Sequence, residues 1–270
     1  MTEFEFVTKA SATLVQSNAT DDMVAMAAWV SFDRDSEERL NDKDRMKGLI
    51  NFLMREKHMS PFEHGSFTFK IDCPIFVARE FHRHRTMAYN EVSGRYTEMK
   101  PRFYVPGNAR PVVQQGKAGK YTFVQDAELL DQVQDEIETS IYKSWEHYED
   151  LIAGGVAKEV ARMVLPLNLM TQFYATVNPR NLMHFLGLRT SPQALYEIRQ
   201  VAEDMEKALA EQMPMTYDAW KPKGPVDAGE VVGHVGTGKS TGPHVRLEIK
   251  IDEGIMTRNE VQRSFDRGRH

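Results

Sequence analysis

The sequence predicts an α+β fold, an antiparallel sheet with several long helices in a single main domain. Three observations carry this reading. Ser66 to Asp72 alternates apolar and polar residues with period two, the pattern of a half-buried strand. Phe123 to Ala153 and Pro192 to Met213 repeat apolar residues at helical spacing over many turns. A chain of 270 residues, 41% of them hydrophobic, suits one large domain or two small ones with a sizeable core.

Taken in order, Phe4 to Gln16 alternates moderately and reads as a strand. Asp21 to Val30 has apolar residues at helical spacing, with Asp21 and Asp22 as cap candidates. Lys43 to Lys57 is a helix striped by Met46, Leu49, Ile50, Leu53 and Met54. After the Ser66–Asp72 strand, Pro74 opens a helix that runs to about Arg85. The long helix over 123–153 follows. Another spans Val156 to Leu165 and is stopped by Pro166, with Val156, Val160, Met163 and Val164 as its apolar face. Leu169 to Val177 is a strand. Asn178 caps a short helix over Pro179–Leu186, and the helix over 192–213 ends the main domain. Residues 1–220 form that domain. From Lys221 the chain becomes Gly-rich and weakly apolar, so 221–270 reads as a C-terminal extension.

Composition narrows the class. No run of about 18 apolar residues is present, so no membrane helix is expected. Met1-Thr2-Glu3-Phe4-Glu5 is acidic and lacks the basic-then-apolar order of a signal peptide. Cys73 is the single cysteine, which excludes an intrachain disulfide. These features point to a cytoplasmic protein without a membrane partner. Cys73 sits at a strand end and reads as a small core residue.

Residues 79–96 carry the strongest chemical signal. Arg79, Arg83, Arg85 and Arg95 crowd together, with His82 and His84 able to add charge when protonated, in a chain of net charge -5. Forked guanidinium groups pair bidentately with phosphate, so the cluster points to an anionic ligand. Asn90, Glu91 and Ser93 suggest a shaped pocket. The competing reading is a nucleic-acid-binding module that uses the Arg-His-Arg helix. The acidic balance and the lack of a broader basic stripe argue against nucleic acid. Cations at a helix C-terminus can also simply complement the macrodipole.

Arg83-His84-Arg85, a gap of seven residues and then Ser93-Gly94-Arg95 resembles the signature of the flavin-dependent thymidylate synthases. His58-Met59-Ser60-Pro61-Phe62-Glu63-His64 is similar to that family's upstream flavin segment. Arg162 to Asn168, Thr176 to Met183 and Arg189 are similar to its downstream elements. The resemblance runs in order from about Thr13 to Trp220. It implies reductive methylation of dUMP to dTMP, with FAD as cofactor, methylenetetrahydrofolate as carbon donor and NADPH as reductant. It also implies a homotetramer whose flavin sites draw on several subunits, and it needs no cysteine nucleophile.

The resemblance assigns residues as well. It implies flavin contacts at His58, Ser60, Arg83, His84, Arg85, Glu91, Asn178, Arg180 and His184. The nucleotide would meet Glu80, Arg83, Glu91, Ser93, Gly94, Arg95, Arg162 and Arg189. Arg189 would lie at the uracil edge and stabilise charge developing on the ring, which makes it the catalytic candidate. Bland readings stand beside these: Arg162 as a solvated cation, Asn178 as a cap, and Arg180 with His184 as a surface pair at helical spacing. No metal is expected, since His58 and His64 match no familiar zinc spacing. The chain departs from the family pattern at three places. Glu80 stands where Gln is common, His184 where Asn is common, and Trp29 where Arg is frequent. Glu80 would repel a phosphate unless it pairs with Arg79 or His84.

Two runs in the extension imitate other motifs. Gly233 to Ser240 satisfies the Walker A pattern, but a strand over Val245–Ile251 follows instead of a helix. Ser240 to Arg246 resembles the end of lysostaphin-type zinc peptidases, yet it lacks their second histidine.

Overall fold

The computed structural model describes residues 2–32, 37–117 and 120–221. In chain order the elements are β1 (Glu5–Val7), β2 (Ser11–Ser17), α1 (Asp21–Trp29), α2 (Glu37–Leu40), α3 (Lys43–Arg55), β3 (Phe67–Pro74), α4 (Ile75–Phe81), β4 (Ala88–Glu91) and β5 (Arg102–Tyr104). They continue with β6 (Val113–Lys117), β7 (Lys120–Val124), α5 (Ala127–Ala153), α6 (Lys158–Ala161), β8 (Met170–Val177), α7 (Pro179–Arg189), α8 (Tyr196–Gln212) and α9 (Pro214–Trp220). Helices and an antiparallel sheet share one fold, as expected. The Walker-like run, the peptidase-like run and the strand expected after them lie outside the described residues.

The central sheet has the order β2-β3-β8-β4, all antiparallel. Its core face follows from the period of two. Phe67, Phe69, Ile71 and Cys73 of β3 stand opposite Val177, Ala175, Phe173 and Thr171 of β8. All eight are buried. Helices α7 and α8 supply the facing layer through Leu182, Phe185, Ile198, Val201 and Met205. The edge of β2 is also closed: Ala10 N donates to Gln200 Oε1 at 3.1 Å and Ala12 N to Asp204 Oδ2 at 3.3 Å. Both acceptors belong to α8, so the helix covers an otherwise unpaired strand edge. A second core lies between β5, α5 and α6, built on Phe103, Ile141, Trp145, Tyr148 and Leu169.

Several boundaries differ from the sequence reading. The single strand expected over 4–16 is two strands in different sheets, and β1 pairs with β5 in parallel. Thr20, not Asp21 or Asp22, caps α1, accepting from Met23 N at 3.1 Å. Asp21 is buried and accepts from Met215 N, Thr216 N and Thr216 Oγ1, which fixes the start of α9. Phe123 and Val124, the start of the expected long helix, belong to β7 (Lys120–Val124) of a hairpin, and the helix begins at Ala127. The expected helix over 156–165 is one turn of α-helix followed by a 3-10 turn, Arg162–Val164. Its expected apolar face is open to solvent at Val160, Met163 and Val164.

Candidate active site

The Arg-His-Arg triplet does not ride on a helix. α4 stops at Phe81, and Arg83, His84 and Arg85 form the turn into β4. Tyr89 closes over this turn: its hydroxyl lies 2.8 Å from Phe81 O and 2.9 Å from His84 O, so one proton is shared between two carbonyls, and Phe81 O also accepts from His84 N at 2.8 Å. Burial pushes the Tyr89 phenol up to about 12, so it remains a donor. Outside a helix, the three side chains are freed from a fixed angular spacing. Arg83 and Arg85 are exposed, and neither makes an ion pair among the described residues.

His84 turns inward. Its ring packs edge-on to Phe185, and its Nε2 accepts from Arg189 Nε at 3.0 Å. Desolvation, then the charges of Arg189 and His184, lower His84 from 6.5 to about 4, against the opposing pull of Glu80. The fold therefore favours the neutral ring, and His84 adds charge to the cluster only well below neutral pH.

Arg189 is the last residue of α7, which runs three residues past its expected end. Thr190 closes the helix by donating its hydroxyl to Leu186 O at 2.7 Å. The Arg189 fork does not stand free in solvent at this helix end. It is instead engaged: Nη1 pairs with Glu80 Oε2 at 2.8 Å, while Nε donates to His84. Its side chain is 16% exposed. Glu80 thus pairs with neither Arg79 nor His84 but with Arg189, a partner 109 residues away. His184 is exposed one turn earlier on the same helix.

A second group lies beyond β4. Glu91, Ser93, Gly94 and Arg162 line one pocket of about 420 Å³ with Met99, Leu167 and Thr171. Thr171 Oγ1 donates to Glu91 Oε1 at 2.6 Å, which orients the carboxylate. Gly94 lies against two flexible side chains. A Cβ there would lie 2.8 Å from Met99 Sδ and 3.0 Å from Arg162 Cδ. Arg95 sits beside this pocket and pairs with Glu159 at 2.8 Å. Arg162 is exposed and makes no ion pair among the described residues. None of Glu80, Arg83, His84, Arg85 or Arg189 lines the pocket.

A third group lies at the other end of α7. Asn178 caps the helix, accepting from Asn181 N at 2.9 Å, and Arg180 pairs with Glu63. Glu63 ends a 3-10 turn that Ser60 opens, and this turn packs on α7. His58 is exposed just before it and meets the Phe52 ring edge-on. Sequence reasoning missed Thr171, Met99 and Tyr89. Their roles depend on strand register and loop closure, and only the short alternation around Tyr89 gives any local signal.

Comparison with known proteins identifies the family. The family profile described as "Thymidylate synthase complementing protein" matches residues 13–215. The flavin-dependent thymidylate synthase of Streptomyces avermitilis is 48% identical over 226 residues, covering 79% of this chain and 91% of that protein. The corresponding protein of Thermosipho africanus is 41% identical over 218 residues, covering 81% and 93%. Among solved structures, the UMP/dUMP methylase PolB from Streptomyces cacaoi, bound with 5-Br UMP, is 40% identical with a TM-score of 0.74, covering 80% of this chain and 96% of that one. A match of this extent, running through both triplets and the Arg162 and Arg189 positions, shows that the chain is an enzyme of the flavin-dependent thymidylate synthase family.

Proposed function

We propose that the protein reductively methylates dUMP to dTMP, with methylenetetrahydrofolate supplying carbon and NADPH reducing a bound FAD. The observation that carries this reading is the state of the only thiol. Cys73 is fully buried in the sheet, and burial, then Asp72 and Glu91, hold its pKa well above the ordinary range. A thiolate nucleophile is not available there. Uracil activation then falls to charge stabilisation, for which Arg189 is the candidate.

The residues fit a flavin dinucleotide. Arg83 and Arg85 present two guanidinium groups on one turn that make no ion pair among the described residues, a donor set suited to a diphosphate. Arg180, Asn178, His58 and Ser60 would hold the rest of the cofactor, with His84 and His184 beside it. When bound, the flavin supplies the redox chemistry. The pocket of Glu91, Ser93, Gly94 and Arg162 suits the nucleotide: Arg162, with no ion pair among the described residues, can turn to the phosphate, and Gly94 keeps the rim small. Arg95 closes its rim. Glu80 holds the Arg189 fork, and neutral His84 fixes the Nε end of the same group.

These groups lie apart on one chain, which supports a site assembled between subunits of a cytoplasmic homotetramer. Tyr96 is 76% exposed and Met163 75% exposed, and Val92, Val164 and Leu167 are exposed near the same pocket. An apolar rim of this kind suits a protein interface. No helix among the described residues is long and apolar enough to cross a membrane.

Single-turnover assay of the purified protein tests the reading. Its absorbance spectrum should be that of a flavoprotein. Enzyme reduced with NADPH should convert dUMP and methylenetetrahydrofolate to dTMP. A colourless protein that forms no dTMP after addition of FAD would sink the proposal.

A further inference from the structure

A smaller cavity, of about 300 Å³, opens where the loop before α8 meets the β6–β7 hairpin. It shares no lining residue with the pocket of Glu91 and Arg162. Pro111, Phe123, Pro192 and Leu195 give it apolar walls, and Arg110 and Arg199 bring two guanidinium groups to it. Arg110 has its own counter-charge. Its Nε pairs with Glu197 Oε1 at 2.8 Å, and its Nη1 donates to Pro111 O. Glu197 itself does not line this cavity.

Arg199 has no such partner. It is only partly exposed, yet it makes no ion pair and no side-chain hydrogen bond among the described residues. Its Nε is sealed inside the protein, so what it offers the cavity is the pair of Nη groups at its tip. The Tyr196 ring, 5.5 Å from the guanidinium, attracts the charge but accepts no hydrogen bond along the fork. A cation drawn from water is normally paired, because an unmatched charge with unmet donors costs free energy. The cavity therefore holds one uncompensated positive charge between apolar walls. An anionic acceptor supplies what is missing, and its bonds to a guanidinium are charge-assisted. The volume suits a small molecule. We propose that this cavity binds a small organic anion, a carboxylate or a phosphate carried on an apolar body, through Arg199. None of the residues assigned to flavin or nucleotide lines it.

Calorimetric titration of the full-length chain with benzoate and with phenyl phosphate tests this. The assay is run in saturating FAD and dUMP, so that the anion sites proposed for cofactor and nucleotide are occupied. Saturable binding of at least one probe at one site per chain is expected, and the tighter of the two names the anion. Benzamide, the uncharged isostere of benzoate, should bind at least about tenfold more weakly than benzoate, a difference of about 1.4 kcal/mol. Arg199→Met keeps the length of the side chain without its charge and should weaken probe binding by at least about tenfold. Gln114→Glu sets a carboxylate on an exposed part of the cavity wall and should weaken it similarly without disturbing the core. Both variants should bind dUMP as wild type does. If Arg199→Met does not fold, Gln114→Glu decides alone. The inference is overturned if neither probe binds saturably, if benzamide binds as tightly as both anions, or if the folded variants bind the probes like wild type.

Discussion

Arg162 and Arg189 place the same side chain in opposite circumstances. Arg162 is exposed beside a pocket and makes no ion pair among the described residues. Arg189 is largely covered, with its fork shared between Glu80 and His84. An exposed guanidinium can move to meet an anion and gains a charge-assisted bond when it does. A guanidinium already held by protein loses little freedom on binding and presents its charge in one orientation. The contrast teaches a division of labour: the open arginines, Arg83, Arg85 and Arg162, suit binding, and the held one suits chemistry.

The largest expected effect breaks the open set. Replacing Arg83 and Arg85 together by Ala removes charge-assisted hydrogen bonds, each worth about 1.5–3 kcal/mol. Flavin affinity should fall by roughly 10²–10⁴. The ratio of flavin to protein after desalting reads this directly, and full retention would remove the turn from the cofactor site.

Arg189→Ala should instead reduce turnover by about 10²–10³, the cost of losing one aimed donor at a developing oxyanion. Flavin should stay bound. Lys should rescue only in part, since an ammonium lacks the planar fork. The same corner predicts a pH effect. His84 is lowered, so its neutral form is the one the fold favours. Its contribution to stability is present above its unfolded value near 6.5 and is lost as pH falls toward about 4. Protonation also removes the acceptor for Arg189 Nε. Single-turnover rates measured across that window should fall on the acid side, and His84→Ala should flatten that limb.

Arg162→Ala sharpens the other half of the comparison. Loss of one charge-assisted bond to phosphate should weaken dUMP binding about tenfold to a hundredfold. The single-turnover rate at saturating nucleotide should change little. A large rate loss there would erase the distinction between the two arginines.

Much of this was legible in the chain because its signals are local. The period of two marked β3, Asn178 and Pro179 marked the start of α7, and the spaced triplets marked the family. What was not legible depends on partners distant in sequence. Tyr89 reaches the carbonyls of the turn after α4 only once β4 pairs with β8. Glu80 finds Arg189 rather than a neighbour because α4 and α7 meet across the core, as the Phe81–Phe185 ring contact at 4.9 Å shows. Asp21 looked like a cap and is a tether to α9 for the same reason.

The smallest expected effect concerns Cys73, and its smallness is what gives it force. Cys73 stands opposite Thr171 in the β3–β8 register, on the face that the core covers. Thr171 in turn donates to Glu91, so the thiol lies close to the pocket proposed for the nucleotide without lining it. Proximity alone would make it a tempting nucleophile. Its raised pKa and complete burial oppose that role, since attack on a pyrimidine needs an accessible thiolate. Cys73→Ala removes one buried sulfur from the sheet and should cost about 1 kcal/mol of stability, visible as a small drop in Tm. Turnover should stay within about twofold of wild type, a barrier change of less than about 0.5 kcal/mol. Cys73→Ser serves as the control for polarity at the same position. If the folded Ala variant instead lost turnover by about a thousandfold, covalent catalysis would replace charge stabilisation, and Arg189 would lose its part in the chemical step.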